Sequence, residues 1–430
     1  MTVRAVAAVS QQLLIFTPSY YPNMDAEALV NGKLGRALER SGFRLDILSR
    51  RPVRPAACHP RGSLALYDYR FPLARKVLKD LTGPYLAATL RHFRELQWAR
   101  TAASQALQWL ARSDYVALLS FGGYCHMAAL RVARTVKIPW LAVWNDPFPP
   151  IVAPPPYGGG ERVPMPVRLR TLLAEVARLA SCHVFPSARL RRYMLGLLPP
   201  EAAANAHVIP HIGCVAPAQP RAVQRKRPVI THVGGLLPYR RPDVFLKGLA
   251  MHAEKRNSVP FQVRFVGSGT ERLAEIAQAH GQRHLCEFIP EQPYRAVLQL
   301  LQESDIFLAI EAHNNESIFL PSKFADYAVT GRPILAITPR ESEIRDLLAR
   351  HGGGVCAATD SAEEVCNALC RLSTEWERGD LMSRQASPAL SHLFSQESVT
   401  GHYLAALGSL THGPELSRAG SDELGEGSTA

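Results

Sequence analysis

What the chain lacks narrows the options first. It has no uninterrupted apolar run of about 18 residues, so a membrane-spanning helix is not expected. Its eight cysteines are scattered without a Cys-x-x-Cys pair, which argues against a disulfide scaffold or a zinc site and fits a reducing cytoplasm. Polar Ser10, Gln11 and Gln12 interrupt the first apolar stretch, which reads as a strand and not as the core of a secretion signal. There is no Asp-x-Asp pair to suggest a divalent-metal site and no internal repeat. The basic residues come without an aromatic stacking platform or a known reader motif, so nucleic acid is the least expected partner.

What is present is a 430-residue chain, 47% hydrophobic and 20% charged, long enough for two ordinary cores. Its charge is lopsided. Residues 1–215 carry 27 Lys and Arg against 12 Asp and Glu, a net +15, whereas residues 216–430 carry 22 against 25, a net −3. A basic N-terminal half calls for an anionic partner or surface, such as acidic lipid headgroups or a phosphorylated substrate.

Short β-branched or apolar strands alternate with helix-period segments throughout, which predicts an α/β protein with parallel sheets. The alternation restarts after a Pro-rich connection. The expected organisation is therefore an N-terminal Rossmann-like domain at 1–210 and a linker at 211–228. A second Rossmann-like, doubly wound domain follows at 229–395. A helix at 396–412 is expected to pack back on the first domain, ahead of a disordered tail at 413–430. Within the first half, residues 73–112 are helical, amphipathic and rich in Arg. They suit either a membrane-surface face or an ordinary packed helix pair with solvated arginines.

Two doubly wound domains facing a cleft suit a nucleotide-containing donor and a second substrate. The stretch 304–339 predicts a strand, a polar loop, a helix opening at Pro321-Ser322-Lys323 and a second strand. Ligands of such βαβ units lie beyond the carboxyl ends of the strands, where this loop carries Glu311, His313, Glu316, Ser317, Ser322 and Lys323. A helix start with a hydroxyl and a lysine is a sensible phosphate seat. Gly234 and Gly235, followed by Arg240 and Arg241, offer close backbone approach and paired guanidinium hydrogen bonds. Gly267-Ser268-Gly269 lacks the third glycine and downstream acid of a dinucleotide fingerprint and reads as a tight turn.

The segment PSKFADYAVTGRPILAIT resembles the donor-site segment of GT-B-fold glycosyltransferases, in particular the retaining family 4 (glycosyl transferases group 1). LLIFTPSYYP, GKLGRALERSGFRLDILS, WNDPF, VIPHIG, HVGGLLPYRRPDVFLKGLA and VRFVGSG resemble the same family in the same order, so the likeness covers roughly residues 13–375. The resemblance implies that Arg240 and Arg241 hold the nucleotide diphosphate and that Ser322 and Lys323 hold phosphate oxygens. It implies that Asp326 grips the ribose hydroxyls and that His126 and Asp146 lie near the transferred sugar. On its own, His126 would equally be a packed or capping histidine. The family often carries two glutamates separated by seven residues. Here the second is Asp326, the position eight earlier is Ile318, and Glu316 is the nearest acid.

The resulting expectation is a glycosyltransferase that uses a UDP- or GDP-linked sugar, without a metal or other cofactor and with retention. The acceptor would be a glycan or lipid-linked, in polysaccharide or glycoconjugate synthesis, with the protein docked on an anionic membrane face. The other readings are a nucleotide-sugar epimerase of the same shape and a nucleotide-sugar-binding subunit without catalysis. The candidate catalytic residues are His126, Asp146 and Glu316. The candidate donor-binding residues are Gly234, Gly235, Arg240, Arg241, Ser317, Ser322, Lys323 and Asp326.

Overall fold

In this computed structural model, residues 11–51, 63–65, 83–160, 164–214, 226–236, 238–256 and 261–411 are described. The expected tail at 413–430, the middle of the linker at 215–225 and the start of the basic helical stretch at 73–82 lie outside the described residues.

The first half is built on β1 (Gln12–Thr17), β2 (Arg44–Ser49), β3 (Ser63–Ala65), β4 (Ala117–Phe121), β5 (Trp140–Val143), β6 (Cys182–Phe185) and β7 (Ala206–Val208). They form one sheet in the order β3-β2-β1-β4-β5-β6-β7, every neighbouring pair parallel. The second half contributes β8 (Val229–Val233), β9 (Gln262–Val266), β10 (Cys286–Ile289), β11 (Ile306–Ile310), β12 (Glu316–Ser317), β13 (Ile334–Thr338), β14 (Glu341–Ser342) and β15 (Gly354–Ala358). Six of these make a parallel sheet ordered β10-β9-β8-β11-β13-β15, while β12 and β14 pair with each other apart from it.

The central strands are apolar along their length because helices cover both faces. Alternate residues are divided between two cores: Leu14 and Phe16 enter one and Leu13 and Ile15 the other. The same division holds in β11, where Leu308 and Ile310 face one core and Phe307 and Ala309 the opposite one. Phe307 stacks on Tyr327 of the helix Ser322–Val329 with ring centroids 4.5 Å apart, which pins that helix to its strand.

In both sheets the spatial order reverses beside the first strand, between β1 and β4 and between β8 and β11. These are the topological switch points, where strand-end loops diverge and leave a crevice for a ligand. Among the described residues, the contacts that hold the halves together include the following three sets. Ile318, from the second half, is 2% exposed and sits in the first core, and Ser187 Oγ donates to its carbonyl at 2.9 Å. Arg189 bonds Glu316, Glu341 and Asp346, while the backbone amides of Ala188 and Arg189 donate to the Glu343 carboxylate. The helix Gln396–Thr411 returns to the first half, where Val399, Tyr403, Ala406 and Leu407 join a core with Leu34, Ala37 and Leu38.

Candidate functional site

The second sheet's switch point opens on glycines. After β8, Gly234 has φ of +90°, a backbone that side chains rarely adopt, and a Cβ there would lie 3.2 Å from Lys323 Nζ. Gly267, after β9, packs so tightly on this turn that its Cβ would come within 2.7 Å of the Gly234 carbonyl carbon. The Gly267 turn is thus a packing element supporting Gly234.

Lys323 enters from the start of the helix Ser322–Val329, which follows Pro321 and carries no side-chain cap. Its ammonium donates to His232 Nε2 at 3.1 Å. His232 Nδ1 in turn contacts the Leu308 carbonyl at 2.9 Å, which fixes Nδ1 as the protonated nitrogen and leaves Nε2 to accept. Withdrawal from water, and then the nearby Arg240 charge, push the Lys323 amine down to about 7. Arg240 as a second cation and an uncapped helix start complete an anion seat.

Arg240 crosses the cleft. Its Nε donates to Tyr157 Oη at 2.9 Å, and Tyr157 belongs to the Pro/Gly-rich loop of the first half. Tyr157 also packs edge-on against Phe319 and Tyr239. Arg241 goes elsewhere: it is exposed and makes a two-pronged pair with Asp243 at the start of its own helix. The structure therefore brings Arg240, Gly234, Ser322 and Lys323 to one place and leaves Arg241 outside it.

The remaining acids divide sharply. Glu311, at the end of β11, is 4% exposed and accepts from Ser317 Oγ at 2.6 Å and from Thr338 Oγ1. Burial pushes its carboxyl up, and those bonds and Arg240 pull it back. Ser317 thus serves to orient Glu311. Glu316 is held by Arg189 at 2.8 Å and Arg192 at 3.0 Å, so the acid expected beside the donor sugar is part of the interdomain clamp. Paired β12 and β14 turn it toward the guanidinium groups.

Across the cleft, the first sheet's switch point is built from acids and amides. Asp25 caps the helix Ala26–Arg40 through the Ala28 amide, and Ser19 Oγ donates to it. Two residues later, in the first turn, Glu27 accepts from Asn145 Nδ2 at 2.9 Å and from Asn31 Nδ2 at 3.3 Å. Desolvation, then the like charge of Asp146, push Glu27 up to about 7. Asp146 is accessible to solvent, though protein around it also raises its carboxyl against the pull of Arg240. No glycine loop is needed at this switch point: Tyr20 is 2% exposed and its hydroxyl fills the space a Cβ on Gly35 would take.

His126 is fully buried. Trp140 Nε1 donates to Ser120 Oγ at 2.8 Å, leaving that hydroxyl to donate to His126 Nδ1 at 2.7 Å. The ring lies 4.2 Å from Trp144, and burial pushes the imidazole down to about 3. It is a neutral core histidine under the cleft floor and has no surface there. Among the described residues no group of three His, Cys, Asp or Glu is placed to hold a metal ion.

The glycine turn, helix start and crossing arginine, set at the carboxyl edge of one of two facing doubly wound sheets, define a GT-B architecture. Residues 227–375, within the second half, match the family described as glycosyl transferases group 1. Sucrose-phosphate synthase from Thermosynechococcus elongatus has the same fold, with TM-score 0.63, 11% identity, and coverage of 92% of this chain and 98% of that one. A glycosyltransferase from Rickettsia africae gives 0.62 and 11%, covering 94% and 100%. HepE of Anabaena, in complex with UDP and glucose, gives 0.61 and 12%, covering 93% and 100%. No curated protein matches in sequence.

The signals that sequence reading missed are tertiary. Tyr157 falls in no motif and meets Arg240 only across the cleft, and Glu27 bonds Asn145 from 118 residues away. Glu311 stood in the loop inventory, but nothing in its neighbours marked it as buried.

Proposed function

We propose that the chain transfers a glycosyl group from a uridine-diphosphate sugar to a hydroxyl acceptor, with retention, and that it uses fixed cations where other enzymes use a metal. The observation that carries this is the convergence of Arg240, Lys323 and the uncapped helix start on Gly234. When the glycosidic bond to the diphosphate breaks, negative charge develops on the leaving phosphate, and preorganised donors stabilise it without reorganisation. Asp326 takes the ribose hydroxyls, because a carboxylate accepts from two neighbouring O–H groups at once. The binding of UDP by the Anabaena neighbour supports uridine as the base. Glu311 would face the donor sugar, and the acceptor would enter along Glu27, Asn145 and Asp146.

The acceptor is proposed to be a glycan or lipid-linked sugar reached from an anionic surface. Exposed Arg100, Arg131 and Arg134 lie close together: partial burial, then the charges of Arg100 and Arg134, depress Arg131, while Arg134 also pairs with Glu175. No helix among the described residues is long and apolar enough to cross a membrane.

A thermal-shift screen of UDP, GDP and their sugars should pick out one base and one sugar. Product formation should then require an added acceptor, persist in EDTA, and keep the donor's anomeric configuration. Sugar conversion with no acceptor present would instead identify a nucleotide-sugar epimerase, and binding without any turnover an inactive subunit.

A further inference from the structure

The carboxylate read as the ribose grip is held from the opposite half of the molecule, by a lysine to which the sequence reading gave no role. Lys33, on the helix Ala26–Arg40, donates from Nζ to Asp326 Oδ1 and to the Ile212 carbonyl at 3.2 Å. Both side chains are largely enclosed, 11% and 15% exposed, and the ammonium lies 5.7 Å from the Tyr294 ring centre. We infer that Lys33 is a positioning residue of the nucleotide site, keeping Asp326 a carboxylate aimed at the ribose so that nucleotide affinity depends on the two halves being together. This rests on the donor reading above.

The surroundings leave Lys33 as the group that can do this. Burial pushes the Asp326 carboxyl up, and Lys33 is the cation that brings it back. At the start of the linker, Cys214 packs against it as a thiol pushed up to about 12, and His211, facing Lys33, is pushed down to about 4 and is neutral. Tyr294 and Tyr327 are phenols raised further by the Asp326 charge, and Arg36 acts on Tyr294. With Lys33 removed, Asp326 would hold a proton more readily, because the cation that opposes its burial is gone. A protonated acid keeps less acceptor capacity for the two ribose hydroxyls.

The test is calorimetric binding of UDP or GDP, whichever the wild-type chain takes more tightly, beside its 2′-deoxy counterpart, from pH 5.5 to 8.5. Lys33→Met and Lys33→Gln should weaken the ribonucleotide roughly tenfold or more at the acidic end. Affinity should recover as pH rises and Asp326 ionises, because the ionised form is the ligand. Discrimination against the 2′-deoxy nucleotide should fall toward that of Asp326→Asn, and Lys33→Arg should retain both properties. If Lys33→Met does not fold, the Gln and Arg variants carry the same comparison. Ribonucleotide binding that is unchanged or tighter across the pH range in the Lys33 variants overturns this inference alone. A wild-type chain that binds neither nucleotide overturns the donor reading and this inference with it.

Discussion

The two switch points have one topology and opposite chemistry. The first sheet, in a half of net charge +15, presents Asp25, Glu27 and Asp146 at its carboxyl edge. The second, in a half of net charge −3, presents Lys323, Arg240 and an uncapped helix start. Local charge runs against the regional balance because the two are set by different demands. Arginines of the first half are spread over solvated helix faces, where a charge costs little, whereas a cleft keeps only the charges its ligand will meet. Two copies of one fold thus become a cation wall and an acid wall facing each other.

The sharpest way to break this comparison is to remove the central cation. Lys323→Met should lower kcat/KM for the donor by about 10²- to 10³-fold, the scale for losing one preorganised donor to a developing oxyanion, with the fold retained. Next comes the contrast between neighbouring arginines. Arg240→Ala should weaken nucleotide binding by about 10- to 100-fold, the worth of a charge-assisted bond, measured by calorimetry. Arg241→Ala should stay within about twofold, since its partner is a surface aspartate.

A third prediction concerns protons. At pH 8 a lysine with a value near 7 is mostly neutral, and a bound diphosphate raises that value. Nucleotide binding should therefore draw a proton from the buffer at pH 8 and little at pH 6. Calorimetry in buffers of different ionisation enthalpy reads this directly, and Lys323→Met should abolish it.

The smallest effect belongs to the acid wall. Glu27 ionises near 7 in the fold and near 4.5 when unfolded, so between these values the folded state holds more protons and stability falls as pH rises. Glu27→Gln removes that penalty: relative to wild type it should melt higher at pH 8, with the gain fading as pH drops toward 4.5. A constant offset across that range would remove Glu27 from the acid wall's account.

Much of the donor wall was legible from the residues. Glycines, a proline-started helix and its lysine are local in sequence, so Gly234, Ser322 and Lys323 could be read from spacing. Arg241 could not be separated from Arg240, because which of two adjacent guanidinium groups crosses a cleft depends on Tyr157, 83 residues away. Glu316 looked free in sequence, but β12 turns it to Arg189. His126 followed a strand and a glycine turn as a site histidine might, but Trp140 and Trp144 enclose it.

The sequence by itself determined the parallel α/β character and the place where one half ends and the pattern restarts, because periodicity of burial is a local property of the chain. It also determined the glycine turn and helix start that carry Gly234, Ser322 and Lys323, because backbone freedom and helix-start chemistry need only a few consecutive residues. Only the tertiary structure decided which side chains meet: Lys33 with Asp326, Arg240 with Tyr157, Glu27 with Asn145. Those pairings join residues 83 to 293 positions apart, and no spacing rule reaches that far. Strand order and the packing of one sheet against the other do.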